Sequence, residues 1–425
     1  MRVLAYTSPA RGHLYPIVPI VALLAERGHR VSVCTLADEL AHLRELELGI
    51  EGTALDPALE SSQLGDWRHR SHYRAMRSVI GTFVQRATHE DPDLMRAIDR
   101  CRPDVLLVDV NCWGAAIAAE RSRLPWAVYS PYLLPLRSRD APPFGLGLRP
   151  LGGPLGAARD AIVREASSAG ASRLVVRPLN ALRAQHRLGP IGSLDAMLAR
   201  PPLLLALTAE GFEYPRSDWP ENVRLVGPIN WAPPAQSPSW LGEIADPFAL
   251  VTCSTERQAD RRLVEVALRG LPAAGISVVA TTAAHDPDTF QAPSGSKAVR
   301  FAAHEPLLQR AACVICHGGM GITQKALSAG VPVVVVPFGR DQIETARRVE
   351  LAEAGVRLHP RRLTPDRLVS AVHDAIERRP GAARVQRVFA DAGGAAAAAD
   401  AIEQIASPAV TRRPAEPTPP APGRP

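Results

Sequence analysis

Short apolar runs recur along the first half of the chain, and most are followed by longer stretches with a helical spacing of apolar positions. The runs lie at residues 2–7, 29–35, 105–108, 126–130 and 203–207. Apolar runs of strand length separated by helices are typical of a parallel sheet that is covered on both faces. We therefore predict a doubly wound α/β domain over residues 1–210.

The same alternation returns in the second half of the chain. Apolar runs follow at residues 248–253, 276–280, 298–301, 312–316 and 331–336. They predict a second doubly wound domain over 248–380, joined to the first by a Pro-, Trp- and Gly-rich linker over 211–247. A closing C-terminal helix is predicted over 381–406. The proline-rich tail, 407–425, is predicted to be disordered.

Two stretches of the first domain, about 60–100 and 131–200, interrupt the alternation. Both carry Trp, Tyr, Phe and Pro with little sheet pattern. Such segments either shape a pocket above the strand ends or serve as packing insertions, and the sequence favours neither interpretation.

The segment 312–342 holds the most informative local pattern. An apolar run ends in the sequence HGGMG at residues 317–321, a helical pattern follows, and Gly330 precedes a second apolar run. Glycines let the backbone bring its N–H groups close to a ligand, and the helix directs its positive end to the same point. We predict an anion site here, most plausibly for a phosphate. Alternatively the glycines serve packing alone, since their spacing fits neither the Rossmann fingerprint nor the Walker A loop.

A cleft between the two domains is the expected place for chemistry, because ligands of doubly wound sheets bind at the carboxyl ends of the strands. His13 follows the first predicted strand, and Asp109 follows the strand at 105–108. An imidazole there can remove a proton from a hydroxyl near neutral pH, and a carboxylate that fixes its tautomer assists it. The residues alone leave open a purely structural hydrogen bond for His13 at the start of a helix.

Composition and charge argue against several classes of partner. The chain has 49 Lys and Arg against 43 Asp and Glu, and its net charge of +6 is spread without a basic run, so nucleic acid is not expected. The six cysteines lie mostly in apolar runs, as buried thiols of a reducing compartment do. No apolar run approaches about 18 residues, and the N-terminus lacks a signal-peptide pattern. We expect a cytoplasmic protein without stable membrane insertion.

The glycine stretch resembles the donor-site signature of the family 1 glycosyltransferases, which are nucleotide-sugar enzymes of the GT-B fold. The matching residues are His317, Gly318, Gly319, Gly321, Ala326, Leu327, Gly330, Val331, Pro332, Pro337, Asp341 and Gln342. The chain departs from the family pattern at Ile322, where Thr or Ser is usual, and at Lys325, where Glu is usual. The resemblance implies two Rossmann-like domains that face each other across a cleft.

The resemblance also implies an inverting transfer of a sugar from a thymidine or uridine diphosphate donor to a hydroxyl of a lipophilic acceptor, such as a natural-product aglycone or a glycolipid. The family's general base stands in a Gly-His-x-x-Pro segment after the first strand, which places His13 in that role. Asp109, ahead of a Trp-containing helix pattern, matches the aspartate that orients the base.

The implied donor contacts are Ser254, Thr255, His304, His317, Gly318, Gly319, Gly321, Thr323, Asp341 and Gln342. Ser254 and Thr255 equally suit a helix cap, and the same alternative holds for Asp341 and Gln342. We expect no cofactor and no divalent metal, because no carboxylate pair has metal-binding spacing.

Lys325 is the departure with the clearest consequence. In relatives a Glu at this position accepts hydrogen bonds from both ribose hydroxyls, and lysine has no acceptor. It can instead pair with an acid such as Glu344, reach toward the diphosphate, or remain solvated. We predict that thymidine diphosphate sugars are accepted at least as well as uridine diphosphate sugars.

Three other functions remain compatible with these residues. A non-catalytic partner protein would keep nucleotide-sugar binding and would be expected to lose the His/Asp pair, which this chain keeps. An epimerase of the same fold would need acid and base groups around the sugar itself. A C-glycosyltransferase differs only in the bond that it forms, and the sequence does not separate it from an O-glycosyltransferase.

Overall fold

A computed structural model of the chain describes residues 1–62, 64–69, 71–256 and 258–407. Apart from Ser407, the tail that the sequence predicts to be disordered lies outside the described residues. The described chain forms two α/β domains, each with its own parallel sheet. The predicted fold class is therefore confirmed.

The first domain contains a seven-stranded parallel sheet in the order β3-β2-β1-β4-β5-β6-β7. Its strands are β1 Arg2–Tyr6, β2 Arg30–Thr35, β3 Ile50–Ala54, β4 Val105–Asp109, β5 Trp126–Ser130, β6 Leu203–Ala206 and β7 Val223–Leu225. Its helices are α1 Arg11–Leu14, α2 Val18–Glu26, α3 Ala37–Glu45, α4 Pro57–Glu60, α5 His72–Cys101, α6 Trp113–Ser122, α7 Gly153–Ala171, α8 Arg177–Gln185 and α9 Leu194–Leu198.

The second domain contains a six-stranded parallel sheet in the order β10-β9-β8-β11-β12-β13. Its strands are β8 Phe248–Thr252, β9 Ser277–Thr281, β10 Lys297–Val299, β11 Cys313–Cys316, β12 Val333–Val335 and β13 Gly355–Arg357. The remaining helices are α10 Arg261–Gly270, α11 His304–Leu308, α12 Met320–Ser328, α13 Gln342–Leu351, α14 Pro365–Glu377, α15 Arg379–Asp391 and α16 Gly394–Ala406.

The central strands explain the continuous apolar runs of the sequence. Along β4, Val105 and Leu107 join one hydrophobic cluster while Leu106 and Val108 join the cluster on the opposite face of the sheet. Because successive side chains of a strand alternate between its faces, a sheet covered on both faces requires apolar residues at every position.

The order of strands creates one switch point in each sheet. In the first sheet β1 lies between β2 and β4, and in the second β8 lies between β9 and β11. At such a point the loops that follow two neighbouring strands diverge to opposite faces and leave a crevice for a ligand. The loops after β1 and β4, and those after β8 and β11, therefore define the site.

Two predicted boundaries differ from the structure. The predicted linker, 211–247, contains β7, which pairs with β6 at the edge of the first sheet. This strand has only three residues, so its pattern was too short to assign it to either domain. The closing segment, 381–406, is not one helix: α15 and α16 are separated at Gly393 and Gly394, whose φ angles are 87° and 55°.

The final helix returns to the first domain. Ala398, Ala399 and Ile402 of α16 are buried in the cluster formed by β1, β4 and α2, whereas Val385 and Phe389 of α15 are buried in the second domain's cluster. The chain thus crosses between the domains twice. No helix within the described ranges is long and apolar enough to cross a membrane.

Candidate active site

The first half of the site lies where β1 and β4 end side by side. The two strands pair in register from Val3 and Val105 onward, and α1 follows β1 directly. His13 on α1 thereby approaches Asp109, the last residue of β4, with 2.7 Å between His13 Nδ1 and Asp109 Oδ2. Asp109 is fully buried, and its other oxygen accepts a hydrogen bond from the Asn111 backbone N–H at 2.8 Å. The structure thus brings the two predicted catalytic residues together.

The carboxylate selects one tautomer of His13. An acceptor at Nδ1 requires that nitrogen to carry the proton in the neutral imidazole, so the lone pair is on Nε2. Burial lowers the pKa of His13, and the charge and hydrogen bond of Asp109 outweigh it, so the pKa lies above its ordinary value. His13 therefore combines a directed lone pair with a stabilised imidazolium.

Two residues near His13 were not anticipated from the sequence. The Asn111 side-chain amide lies 3.3 Å from His13 Nε2, and the Tyr132 hydroxyl donates to Asn111 Oδ1 at 2.6 Å. With its carbonyl oxygen occupied by Tyr132, the amide presents N–H to the lone pair of His13. Asn111 stands two residues after Asp109 at the same strand end, which was an available signal, whereas Tyr132 comes from the segment after β5 and carried none.

The second half of the site is the glycine turn between β11 and α12. Gly318 has a φ of 96°, and a Cβ there would lie 2.7 Å from Val335 Cγ1, so both conformation and space require glycine. A Cβ on Gly319 would lie 2.5 Å from His317 Nε2, whereas one on Gly321 would meet nothing within 4 Å. Since α12 begins at Met320, its free N–H groups and its positive end belong to this turn, as an anion site requires.

His317 opens the turn and is buried. Its Nδ1 lies 4.0 Å from Asp260 Oδ2, and that nitrogen has no hydrogen-bond partner among the described residues. Asp260 instead accepts hydrogen bonds from the Ser254 backbone N–H at 2.7 Å and from His285 Nε2 at 2.9 Å. Burial lowers the pKa of His317 and the Asp260 charge opposes this only in part. The pKa of His317 therefore lies below its ordinary value, which favours the neutral imidazole.

The loop after β8 holds Ser254 and Thr255. The Ser254 hydroxyl accepts from the Glu256 backbone N–H at 3.3 Å and from Gln258 Nε2 at 3.0 Å. Ser254 is buried and stabilises its own loop, much as a helix-capping serine stabilises backbone N–H groups. Thr255 is exposed on the same loop.

Two residues that were predicted to contact the sugar donor instead form hydrogen bonds with backbone groups. Thr323 is fully buried and its hydroxyl donates to the Gly319 carbonyl at 2.9 Å, inside the helix. Gln342 Oε1 accepts from the backbone N–H groups of Phe338 and Gly339 at 2.7 and 3.1 Å. The structure therefore places both side chains in the framework of the site, because each satisfies backbone groups of a tight turn.

Asp341 is the other member of the predicted sugar-binding pair. It stands directly before α13 and makes no capping hydrogen bond with it. Burial raises the pKa of its carboxyl, and the charges of Arg340 and His13 oppose that rise. The carboxyl of Asp341 therefore keeps its proton to a higher pH than an exposed aspartate does.

The predicted base-binding region contains His304 and Lys325. His304 Nε2 lies 3.2 Å from the Thr281 hydroxyl, and burial together with the Lys325 charge lowers the pKa of His304 to about 4. The suggested pairing of Lys325 with Glu344 is wrong. Glu344 is buried and accepts from the Gly145 backbone N–H at 2.7 Å and from Arg348 Nη1 at 2.9 Å.

A group of potential metal ligands lies beneath the glycine turn. Single ligand atoms of Cys253, Asp260 and His285 come within 4.8 Å of one another. The carboxylate of Asp260 already accepts two hydrogen bonds, one of them from His285. Hydrogen bonding accounts for this cluster, and the expectation of a metal-free reaction stays a prediction.

Comparison with known proteins shows which family this chain resembles. Residues 270–406 match the family described as erythromycin biosynthesis protein CIII-like, C-terminal domain. The 4'-demethylrebeccamycin synthase of Lentzea aerocolonigenes is 31% identical over 423 residues, which cover 95% of this chain and 99% of the synthase.

The chain belongs to the family 1 glycosyltransferases.

Solved structures show the same architecture. The glycotransferase of kitacinnamycin superposes with a TM-score of 0.74 at 24% identity, over 96% of this chain and 99% of that one. The Streptomyces sp. SF2575 glycosyltransferase SsfS6, complexed with thymidine diphosphate, gives a TM-score of 0.67 at 20% identity, over 95% and 99% of the two chains. These likenesses show the GT-B fold. Membership of the family makes this chain a nucleotide-sugar-dependent glycosyltransferase of the natural-product type.

Proposed function

We propose that this glycosyltransferase inverts the anomeric carbon as it moves a sugar from a nucleoside diphosphate to a hydroxyl of a lipophilic small molecule. The observation that carries the proposal is the 2.7 Å contact between His13 Nδ1 and Asp109 Oδ2 at the mouth of the cleft. A neutral imidazole oriented in this way is a general base, and a deprotonated hydroxyl is a sufficient nucleophile.

The reaction needs one proton transfer and one displacement. His13 Nε2 takes the proton of the acceptor hydroxyl, and Asp109 stabilises the resulting imidazolium. The acceptor oxygen forms a bond to the anomeric carbon while the bond from that carbon to the phosphate oxygen breaks, and the nucleoside diphosphate leaves on the opposite face. The His317 imidazole, the backbone N–H groups of the turn and the start of α12 stabilise the negative charge on the leaving phosphate.

These protein groups can stabilise the charge that a divalent ion stabilises in other enzymes, which supports a reaction without such an ion. Turnover should therefore be unchanged by EDTA. Loss of activity on chelation, with recovery on addition of Mg²⁺ or Mn²⁺, would contradict this part of the proposal.

The lipophilic class of acceptor is supported by aromatic residues near the cleft. Trp67 is 38% exposed and stands next to Asp66, whose side chain contacts Arg340 of the second domain. Tyr132 packs against clusters of both domains and lies close to His13, with ring centroids 6.1 Å apart. Aromatic side chains in the segments that contact Arg340 and His13 favour an apolar acceptor. The synthase that resembles this chain is itself named for a natural product.

A thymidine diphosphate donor is supported by Lys325. The ammonium offers no acceptor to the ribose hydroxyls, so a 2′-hydroxyl gains little there. SsfS6, which has the same fold, was solved with thymidine diphosphate. We expect kcat/KM for thymidine diphosphate sugars to equal or exceed that for the uridine analogues. Lys325→Glu should shift the ratio toward uridine by up to about tenfold. A strong uridine preference in the wild-type enzyme, or a ratio that does not move, would contradict this.

The experiment that tests the main proposal measures nucleoside diphosphate release with a panel of hydrophobic alcohols and phenols. Release that depends on the acceptor, with a glycoside of inverted anomeric configuration as product, is the expected result. Donor binding without release supports the non-catalytic partner instead. A product joined through carbon identifies a C-glycosyltransferase.

A further inference from the structure

Arg340 occupies an unusual position beside the donor site. It lies in the loop 338–342 between β12 and α13 and has a φ of 53°, a backbone conformation that residues other than glycine rarely adopt. The loop is fixed in this shape because Gln342 Oε1 accepts from the backbone N–H groups of Phe338 and Gly339. The conformation of the loop therefore fixes the direction of the Arg340 side chain, although the backbone conformation is unfavourable for arginine itself.

The guanidinium lies between the two domains. Its Nε and Nη2 donate to both oxygens of Asp66 at 2.8 and 2.9 Å, and its Nη1 donates to Glu256 Oε2 at 3.0 Å. Asp66 belongs to the first domain, whereas Glu256 follows Ser254 in the loop after β8. The Arg340 side chain keeps 23% of its surface exposed, so the two carboxylates do not enclose it completely.

The loop that carries Arg340 packs against the glycine turn. A Cβ on Gly318 would lie 3.1 Å from the Gln342 carbonyl oxygen and 3.2 Å from Gln342 Cβ. The Arg340 charge also contributes to the lowered pKa of His317, after burial and against the charge of Asp260. The guanidinium therefore stands beside the place where the structure offers N–H groups to an anion.

The charge balance around Arg340 points to exchange of its partners. One guanidinium faces two carboxylates, which leaves one net negative charge where a diphosphate has to enter. Burial lowers the pKa of His317 and so favours its neutral form, which adds no positive charge. A guanidinium binds a pair of phosphate oxygens in the same forked geometry that it uses for a carboxylate.

We propose that Arg340 is a donor-binding residue that releases Asp66 and binds the diphosphate of the nucleotide sugar. The proposal rests on the proposed function, because it requires a nucleoside diphosphate at the glycine turn. Asp66 then acts as an internal competitor for the guanidinium, and donor binding breaks a contact between the domains.

Isothermal titration tests this exchange with two probes. They are thymidine or uridine diphosphate, whichever the wild-type enzyme binds more tightly, and the matching nucleoside. Arg340→Ala should weaken binding of the diphosphate by at least about tenfold, since a charged hydrogen-bond donor is lost, and leave nucleoside binding unchanged. Arg340→Lys, which keeps the charge, should recover part of the affinity.

Asp66→Asn gives the discriminating result, because removal of the competitor should tighten diphosphate binding several-fold. Asp400→Asn is the matched control: Asp400 pairs with Arg27 in an exposed contact between α16 and the first domain, and the change in charge is the same. The control should leave diphosphate affinity unchanged.

The direction of the change in diphosphate affinity separates a donor-binding role of Arg340 from a purely structural one. If Asp66→Asn weakens diphosphate binding, Arg340 and Asp66 only hold the domains together and the proposal is overturned. Equal loss of nucleoside and diphosphate affinity in Arg340→Ala, with an unchanged circular dichroism spectrum, overturns it as well. A wild-type enzyme that binds neither diphosphate contradicts the proposed function itself, whereas wild-type binding that neither variant alters contradicts the exchange alone.

Discussion

The two halves of the candidate active site contain the same pair of residue types in two different arrangements. In each sheet a histidine and an aspartate stand close to the switch point, His13 with Asp109 and His317 with Asp260. The distance from Nδ1 to the carboxylate is 2.7 Å in the first pair and 4.0 Å in the second. The pKa of His13 is raised and the pKa of His317 is lowered.

The difference lies in what else the carboxylate must satisfy. Asp109 accepts one backbone N–H and has an oxygen left for His13. Asp260 accepts from Ser254 and His285 and has none at bonding distance for His317. A carboxylate at hydrogen-bonding distance outweighs the effect of burial on the pKa of His13, whereas one at 4.0 Å offsets it only in part for His317, so the distance decides the direction of each pKa shift.

Removal of the base should have the largest effect. His13→Ala eliminates the proton acceptor, so we expect kcat to fall by about 10²–10⁴. Binding of the nucleoside diphosphate should stay near that of the wild-type enzyme, because the proposed role of His13 concerns the acceptor and not the donor. Steady-state kinetics and titration measure the two quantities. Parallel losses of rate and binding would show that His13 is structural.

Removal of the neutral donor should affect binding and rate together. His317→Ala takes away one group that stabilises the leaving phosphate, so kcat/KM should fall about 10²-fold. Affinity for the nucleoside diphosphate should also decrease, which distinguishes this half of the site from the base.

Glycine substitutions provide an independent control for His317. Gly319→Ala adds a Cβ that would lie 2.5 Å from His317 Nε2, so it should displace the imidazole and reproduce part of the loss. Gly242→Ala adds a Cβ in open space and should have no effect. Unchanged diphosphate affinity in both His317→Ala and Gly319→Ala would mean that the anion site is elsewhere.

The acid limb of the dependence of kcat/KM on pH tests the difference between the two His/Asp pairs further. Only neutral His13 accepts a proton, so kcat/KM should rise with pH through a pKa above the ordinary value of 6.5. Asp109→Asn removes the charge that raises this pKa, and the acid limb should move to lower pH. The maximal rate should fall by about 10- to 100-fold, less than for His13→Ala, because the base remains but its tautomer is unfixed.

Asp260→Asn is the matched change in the other pair. Since Asp260 does not bond His317, this variant should leave the acid limb in place and reduce the rate less than Asp109→Asn. A shift of the acid limb in Asp260→Asn but not in Asp109→Asn would reverse the assignment of the base.

The positions that the sequence indicated best are those that depend on strand ends. His13, Asp109 and the glycine turn all follow apolar runs, and parallel strands bring such positions to one edge of a sheet. The roles of Thr323 and Gln342 were not accessible in this way, because the choice between a ligand and a backbone N–H or carbonyl depends on the local turn. Arg340 and Asp66, separated by 274 residues, meet only through the arrangement of the domains. Asn111 is an intermediate case. Its position at the end of β4 can be read from the sequence, whereas the orientation of its amide toward His13 depends on the hydrogen bond from Tyr132.

The double crossing of the chain limits how the cleft can open. The crossings touch each other, since the Gly394 backbone N–H donates to the Val226 carbonyl at 2.7 Å. A Cβ on Gly227 would lie 2.7 Å from Ala392 Cβ. Two connections that are bonded to each other act as a single attachment between the domains, so any opening of the cleft has to pivot there. Gly227, Gly393 and Gly394, which lie at this attachment, all have positive φ angles.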